Sequence, residues 1–327
     1  MHEQDGAEAG GPGEPQTGGP EVRPQGRRSR PRDIVRLAQG DGWIVVAKPP
    51  RVITHRNWAH RHERAAVQRV RDLVGGRVYP IHRLDRSASG CLLFATDRAR
   101  AGALQAALVA GQKEYIAFVR GELKQTGPIR VETPMKDDRG LLKEAASVVE
   151  RLGASADPRC SLLRVRPETG RFHQVRRHVR DLNHPIIGDG DHGDSRINRW
   201  WRENHGMGRL GLHALRMSLD LGGGERIEAV CPLFADHHAV FSALPFWDEA
   251  VAACPALGLP VLAVNGRGFA QGGLLQGVLD GSLRDLYGLG APAEEPAPWS
   301  PISRAQEAEL DRDMVEFVDL DALPEHE

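Results

Sequence analysis

Residues 80–97 read "PIHRLDRSASGCLLFATD". Cys91 to Ala95 make an unbroken apolar run behind a Ser-Ala-Ser-Gly turn, the pattern of a buried strand. Just before the turn stands Asp85, with Arg83 and Arg86 on either side and His82 close by. A carboxylate among cations at the mouth of a buried strand has two readings. It is a local ion-pair partner, or it is held ionised in order to attack an electrophile.

Upstream, "WIVVA" reads as a second buried strand that Pro49-Pro50 ends, and "HERAAVQRVRDLV" places Ala66, Val67, Val70 and Val74 at helical spacing. Downstream, "DRARAGALQAALVAG" is an Ala-rich helix with Asp97 placed to cap it and Gly111 to end it. "KEYIAFVRG", "AASVVERLG" and "CSLLRVRPETG" read as strands, "RFHQVRRHVRDLN" as a short basic helix and "HPIIGDGDHGD" as a turn-rich loop. "RLGLHALRMSLDL" and "RIEAVCP" form a hairpin around Gly222-Gly223-Gly224. Hairpins mixed with helices predict an α+β fold: a mixed, largely antiparallel sheet core with flanking helices. There is no P-loop and no dinucleotide-binding glycine fingerprint.

The 327 residues, 40% of them hydrophobic, suffice for one sizeable core or two small ones. No run of ~18 apolar residues predicts a membrane span, and the N-terminus lacks the apolar centre of a secretory signal. Cys91, Cys160, Cys231 and Cys254 are scattered, which speaks against a zinc ribbon and for reduced thiols in a cytoplasmic protein. Residues 1–20 hold four acids and no Lys or Arg, and residues 301–327 hold nine acids against two arginines. With a whole-chain charge of −1, the body between is basic, which suits a polyanionic partner. Residues 1–32, rich in Gly, Pro, Glu and Gln, predict a disordered tail. The folded domain is expected over residues 33–250. Residues 251–327 form an extension of unknown role, with a glycine-interrupted helix over 272–289 and an acidic, partly disordered end.

A second unusual stretch, "RVRPETGRFHQVRRHVR" (164–180), sets six arginines against one acid, Glu168. Helical spacing puts Phe172, Val175 and Val179 on one side and separates Arg176 from Arg177 by about 100°. One arginine can face a buried anion while the other faces solvent or phosphate. Tyr115 heads the strand "KEYIAFVRG".

These stretches together resemble the pseudouridine synthases of the ribosomal large-subunit synthase A family. "HRLDRSASG" is similar to that family's aspartate motif, "AKPP" to its Lys-Pro-Pro motif, and "KEYIAFVRG" to its tyrosine motif. "GRFHQVRRHV" with "HPIIGD" is similar to its arginine motif, and "LHA" at Leu212–Ala214 is typical. The resemblance runs, in order, from about residue 36 to about 240. "THRNWAHRHE" and "HGDSRINRW…RLGLHA" look like the tRNA pseudouridine synthase C branch, whose members act in the tRNA T-stem. Ala88 and Ser87 depart from the Thr and Pro frequent in the family, and no S4-type domain is apparent.

The resemblance implies the pseudouridine synthase fold and an isomerase that needs no metal or organic cofactor. It makes Asp85 the nucleophile at the ribose C1′, Arg176 its compensating cation, and Tyr115 a residue against the sugar and base with a general-base role. Leu212 lines the pocket, and Arg83 occupies the space of a uridine flipped from its stem. His82 joins the substrate-binding residues, and Arg171, Arg177 and Arg180 are phosphate-contact candidates. The implied partner is RNA, tRNA first and ribosomal RNA second, for a monomeric protein off the membrane. Other classes stay in view: a non-catalytic RNA-binding protein on the same fold, and a metal-dependent RNA hydrolase using the Asp189 loop. The histidines His173, His178, His184, His192, His205 and His213 lack metal-ligand spacing, and Asp189, Asp191 and Asp194 read as turn caps. Trp200 and Trp201 read as base-stacking rings or as packing.

Overall fold

The computed structural model describes residues 34–56, 58, 61–137, 139–262, 264–265 and 268–269. The expectations for 1–32, for 272–289 and for the acidic end lie outside the described residues. In chain order the main elements are β1 (Val35–Gly40), β2 (Trp43–Lys48), α1 (Ala66–Val74), β3 (Tyr79–Pro80), β4 (Ser89–Ala95), α2 (Ala101–Ala110) and β5 (Gln112–Arg120). There follow β6 (Ile129–Val131), β7 (Met135–Lys136), β8 (Leu142–Lys143), β9 (Ser147–Ala156), β10 (Arg159–Pro167), α3 (Gln174–Asp181) and α4 (Ser195–His205). The last are β11 (Leu212–Gly222), β12 (Glu225–Val230), α5 (Ala235–Phe241) and α6 (Trp247–Ala253).

Ten strands make one sheet in the order β1-β2-β4-β11-β5-β10-β9-β6, with β3 on β4 and β12 on β11. Among the described residues its one parallel pairing is β4 with β11, through His213 opposite Ser89 and Ala214 opposite Gly90. The run "CLLFA" is apolar throughout because both faces of β4 are covered. Cys91, Leu93 and Ala95 pack with α2 on one side, and Leu92 and Phe94 pack with α1 on the other. Each fully buried Leu or Phe there contributes about 1.5–3 kcal/mol. Asp97 caps the turn leading into α2 by accepting from the Ala99 N–H at 2.9 Å, and Gly111 ends that helix.

One helix joins the expected elements, and two expectations change. The segment "SRINRWWRENH" is a helix, α4, capped by Asp194 and ended by Gly206 at φ +71°. Its burial rests on Trp201, which packs edge-on against Phe118 at 5.0 Å, while Trp200 stays 44% exposed. The domain boundary placed at 250 falls inside α6. Leu257, Leu259 and Leu262 are buried beyond it, and Leu262 exchanges backbone bonds with Leu233 and Ala235. Phe172 does not join Val175 and Val179 in the core, because it precedes the first turn of α3 and is 57% exposed.

Candidate active site

The 80–88 loop is fixed from beneath before its side chains are considered. The Lys48 ammonium is buried, and it donates to the carbonyls of Val52 and Ala88 at 2.7 Å and of Pro49 at 3.0 Å, with that of Arg86 at 3.4 Å. Burial draws its pKa down to about 7, against the pull of Asp85. Thr54 bonds both backbone groups of Leu84. The Ala88 N–H closes the turn onto the Asp85 carbonyl at 3.1 Å. Gly90 follows at φ +125°, where a Cβ would stand 2.2 Å from the Ala214 carbonyl oxygen. Only glycine lets β4 and β11 meet so closely. Behind this crossing Ser89 bonds His213, whose other ring nitrogen reaches the Cys231 carbonyl at 2.8 Å. Arg209 donates to Ser89 and to both Asp236 oxygens.

Neither neighbouring cation neutralises Asp85. Arg86 pairs with Glu63 at 3.0 Å, and the Arg83 guanidinium lies over the Phe172 ring, 5.9 Å from its centre. The partner is Arg176 on α3, whose Nη1 donates to Asp85 Oδ2 at 3.0 Å. All five N–H groups of that guanidinium are used. Nη1 also donates to His173 Nε2 at 2.7 Å, Nε and Nη2 grip Asp189 at 2.8 and 2.6 Å, and Nη2 reaches Asp191 at 2.6 Å. The Asp85 side chain is 25% exposed and that of Arg176 only 6%. Burial works to lower the Arg176 pKa, but the bonds to Asp189 and Asp191 outweigh it and hold the cation charged. Burial works to raise the Asp189 pKa, and the Arg176 bonds outweigh that in turn.

Asp189 belongs to the "GDGDHGD" loop, and the sequence does not identify it as the main partner of Arg176. It also accepts from the backbone of Asp191 and His192, so it is a turn cap as well. Asn198 of α4 holds the loop by accepting from the Gly188 N–H and donating to the Asp189 carbonyl, both at 2.7 Å. His173 enters α3 with left-handed backbone at φ +54°. Its Nε2 accepts from Arg176, so the neutral ring carries its proton on Nδ1, 3.0 Å from His192 Nε2. Burial lowers the His173 pKa and favours that neutral form, although Asp85 pulls the other way.

A cleft of about 370 Å³ opens over this cluster. Asp85, Arg83, Phe172, His173, Arg176 and Leu210 are among the residues lining it. Leu210 is among the lining residues, and both Leu210 and Leu212 pack in the core cluster with Val175 and Val179. His82 is turned inward, its Nε2 accepting from the Leu93 N–H at 3.1 Å, and burial draws its pKa to about 3. Tyr115 lies between β10 and β11 and is not among the residues lining the cleft. Burial, then Asp85, raise its pKa, so the phenol keeps its proton at neutral pH. Arg171, Arg177 and Arg180 also lie outside the cleft. Arg171 donates to the Glu144 carbonyl, Arg180 pairs with Asp181, and Arg177 is half-buried.

Carboxylate, fixed cation and open cleft form an arrangement that can deliver an ionised oxygen nucleophile to a ligand entering from solvent. The family model described as RNA pseudouridylate synthase matches residues 42–181. A protein of Pasteurella multocida (strain Pm70) named "tRNA pseudouridine synthase C" is 40% identical over 202 residues, 55% of this chain and 83% of the relative. One of the same name from Yersinia pestis is 39% identical over 205 residues, 56% of this chain and 80% of the relative. Among solved structures, "Human RNA Pseudouridylate Synthase Domain Containing 1" shares the fold at a TM-score of 0.50 and 22% identity. That match covers 67% of this chain and 88% of the human one.

Proposed function

The chain belongs to the RNA pseudouridylate synthase family and is an isomerase acting on RNA, and from that premise we propose that it converts a uridine of the tRNA T-stem to pseudouridine, with Asp85 as the attacking group. Support for tRNA comes from the names of relatives near 40% identity. The T-stem is what the sequence resemblance implies.

In this reading a carboxylate oxygen of Asp85 bonds to C1′ of the ribose as the N1–C1′ bond breaks, and the electron pair leaves with the uracil ring. The ring turns so that C5 faces C1′. The C5–C1′ bond forms, the ester bond to Asp85 breaks, and the carboxylate is regenerated. C5 loses a proton and N1 gains one, so the sum is an isomerisation. Arg176 keeps Asp85 ionised and oriented, and Asp189, Asp191 and His173 hold Arg176. Tyr115 sits against the sugar and base and, in the complex, takes part in removing the C5 proton. Arg83 enters the vacated place in the stem, and Arg171, Arg177 and Arg180 track phosphates on the outer flank.

The observation that carries the proposal is the 3.0 Å contact of Asp85 with the fully engaged Arg176 inside an open cleft. The test is pseudouridine mapping in tRNA and ribosomal RNA incubated with the wild type and with Asp85→Asn. The expected result is one modified T-stem uridine for the wild type and none for the variant. Turnover by Asp85→Asn within tenfold of the wild type would overturn the nucleophile assignment. A site found in ribosomal RNA alone would overturn the substrate.

A further inference from the structure

α4 carries more cation than its packing requires. Its inner side is spent on the fold: Trp201 packs against Phe118, and Asn198 bolts the first turn to Gly188 and Asp189. Its outer side presents Arg196, Arg199 and Arg202, all exposed, beside the part-exposed Trp200. A spacing of three sets the arginines in one row about 9 Å long. Like charges at that spacing work against a helix. Glu203 is the single acid within α4, and among the described residues no carboxylate forms an ion pair with Arg199 or Arg202. At the N-terminal end the Asp194 carboxyl is held low by the backbone N–H groups of Ile197 and Arg196, then by the charges of Arg196 and Arg120. Arg120, at the exposed end of β5, thus adds a fourth cation beside the row.

We propose that this outer face of α4 docks the sugar–phosphate backbone of the RNA helix next to the flipped uridine, outside the cleft. The inference rests on the reading of the target as a uridine within a stem. One loop joins the two places: Gly188, Gly190 and Asp191 line the cleft, and Asn198 ties that loop to α4. A duplex presents a regular row of phosphates, and a row of unpaired guanidiniums is the chemistry that matches it. Paired RNA is gripped by its backbone, since its deep major groove hides the base edges from side chains.

The test titrates salt against the binding of unmodified tRNA transcripts by the full chain. Arg199→Gln and Arg202→Gln should each weaken binding and make its salt dependence shallower by about one unit of slope. Arg199→Lys keeps the charge and should keep the slope. Arg226→Gln removes an exposed charge from the hairpin at the other end of β11 and should change neither affinity nor slope. All four variants should melt with the wild type, because their side chains are exposed. An unchanged slope in both α4 glutamine variants would overturn the proposal and leave the row to an acidic protein partner. An equal loss from Arg226→Gln would also overturn it, by reducing the row to overall charge. Pseudouridine mapped outside any stem would overturn the proposed target in a separate assay, because the salt titration needs no turnover.

Discussion

Thr54 and Leu84, 30 residues apart, exchange two hydrogen bonds through one hydroxyl: it donates to the Leu84 carbonyl at 3.2 Å and accepts from the Leu84 N–H at 3.1 Å. Leu84 is buried and immediately precedes Asp85, so this clamp sets where the carboxylate emerges. Thr54→Val keeps the shape and removes both bonds, stranding two buried backbone groups. The expected loss is about 2–4 kcal/mol of stability by denaturant melts. The single-turnover rate should fall further, by up to ~100-fold if the carboxylate moves by an ångström. Thr54→Ser should retain both. A Thr54→Val protein that melts and reacts like the wild type would show that Asp85 is placed by something else.

The Arg176 contacts revise what a partner deletion does. Arg176→Met strands Asp189, whose side chain is fully buried, more than it strands the part-exposed Asp85. The expected cost is about 3–5 kcal/mol, softened by the two backbone N–H groups that Asp189 keeps. Adding Asp189→Asn should recover more of that stability than adding Asp85→Asn. Equal recovery by the two, measured by thermal melts of both double variants, would place the buried charge at Asp85 instead.

Much of this was legible in the sequence where burial is periodic. β4 and β5 announce themselves because one or both faces are covered, and Asp85 and Arg176 because their motifs occur in order. Legibility failed where polar groups are satisfied by tertiary partners. A buried arginine has five donors, more than Asp85 alone can accept, and that arithmetic was the available signal for Asp189 and Asp191. Lys48 reads as the end of a strand, since its acceptors are carbonyls that any residue can supply. α4 is polar around most of its circumference and is held by Trp201, Asn198 and a cap, so it has little apolar period to read. Leu210 precedes the first residue of β11, and strand alternation says nothing about where it points.

Several buried histidines are held neutral. Burial lowers His213 to about 4 and His82 to about 3, and pushes His237 well below its usual value. The unfolded chain binds these protons from about pH 6.5 downward, whereas the folded protein does not until much lower pH. Stability from this source is therefore complete above pH 6.5 and declines as pH falls from there toward 4, by on the order of 3 kcal/mol for His213 alone. Calorimetric unfolding at pH 7.5 and pH 5 in two buffers of different ionisation enthalpy should reveal proton uptake at the lower pH. Stability flat across that window would mean that these rings are charged in the fold.

Arg83 supplies the remaining test, because its two functions predict different losses. It lies on the loop two residues before Asp85, exposed, over Phe172 rather than on the carboxylate. A guanidinium so placed can slide into a helix as the uridine leaves it, replacing the stacking that the stem gives up. A substrate whose target uridine is already unpaired has no such deficit. Arg83→Ala should then slow single-turnover reaction on a matched stem far more than on the same RNA with the target opposite a gap. The difference should approach the flipping cost of roughly a few kcal/mol. A simple phosphate contact predicts equal losses on both substrates and a shallower dependence of affinity on salt, by about one unit of slope. Matched and gapped substrates losing rate by the same factor would remove Arg83 from the stack and leave it on the backbone.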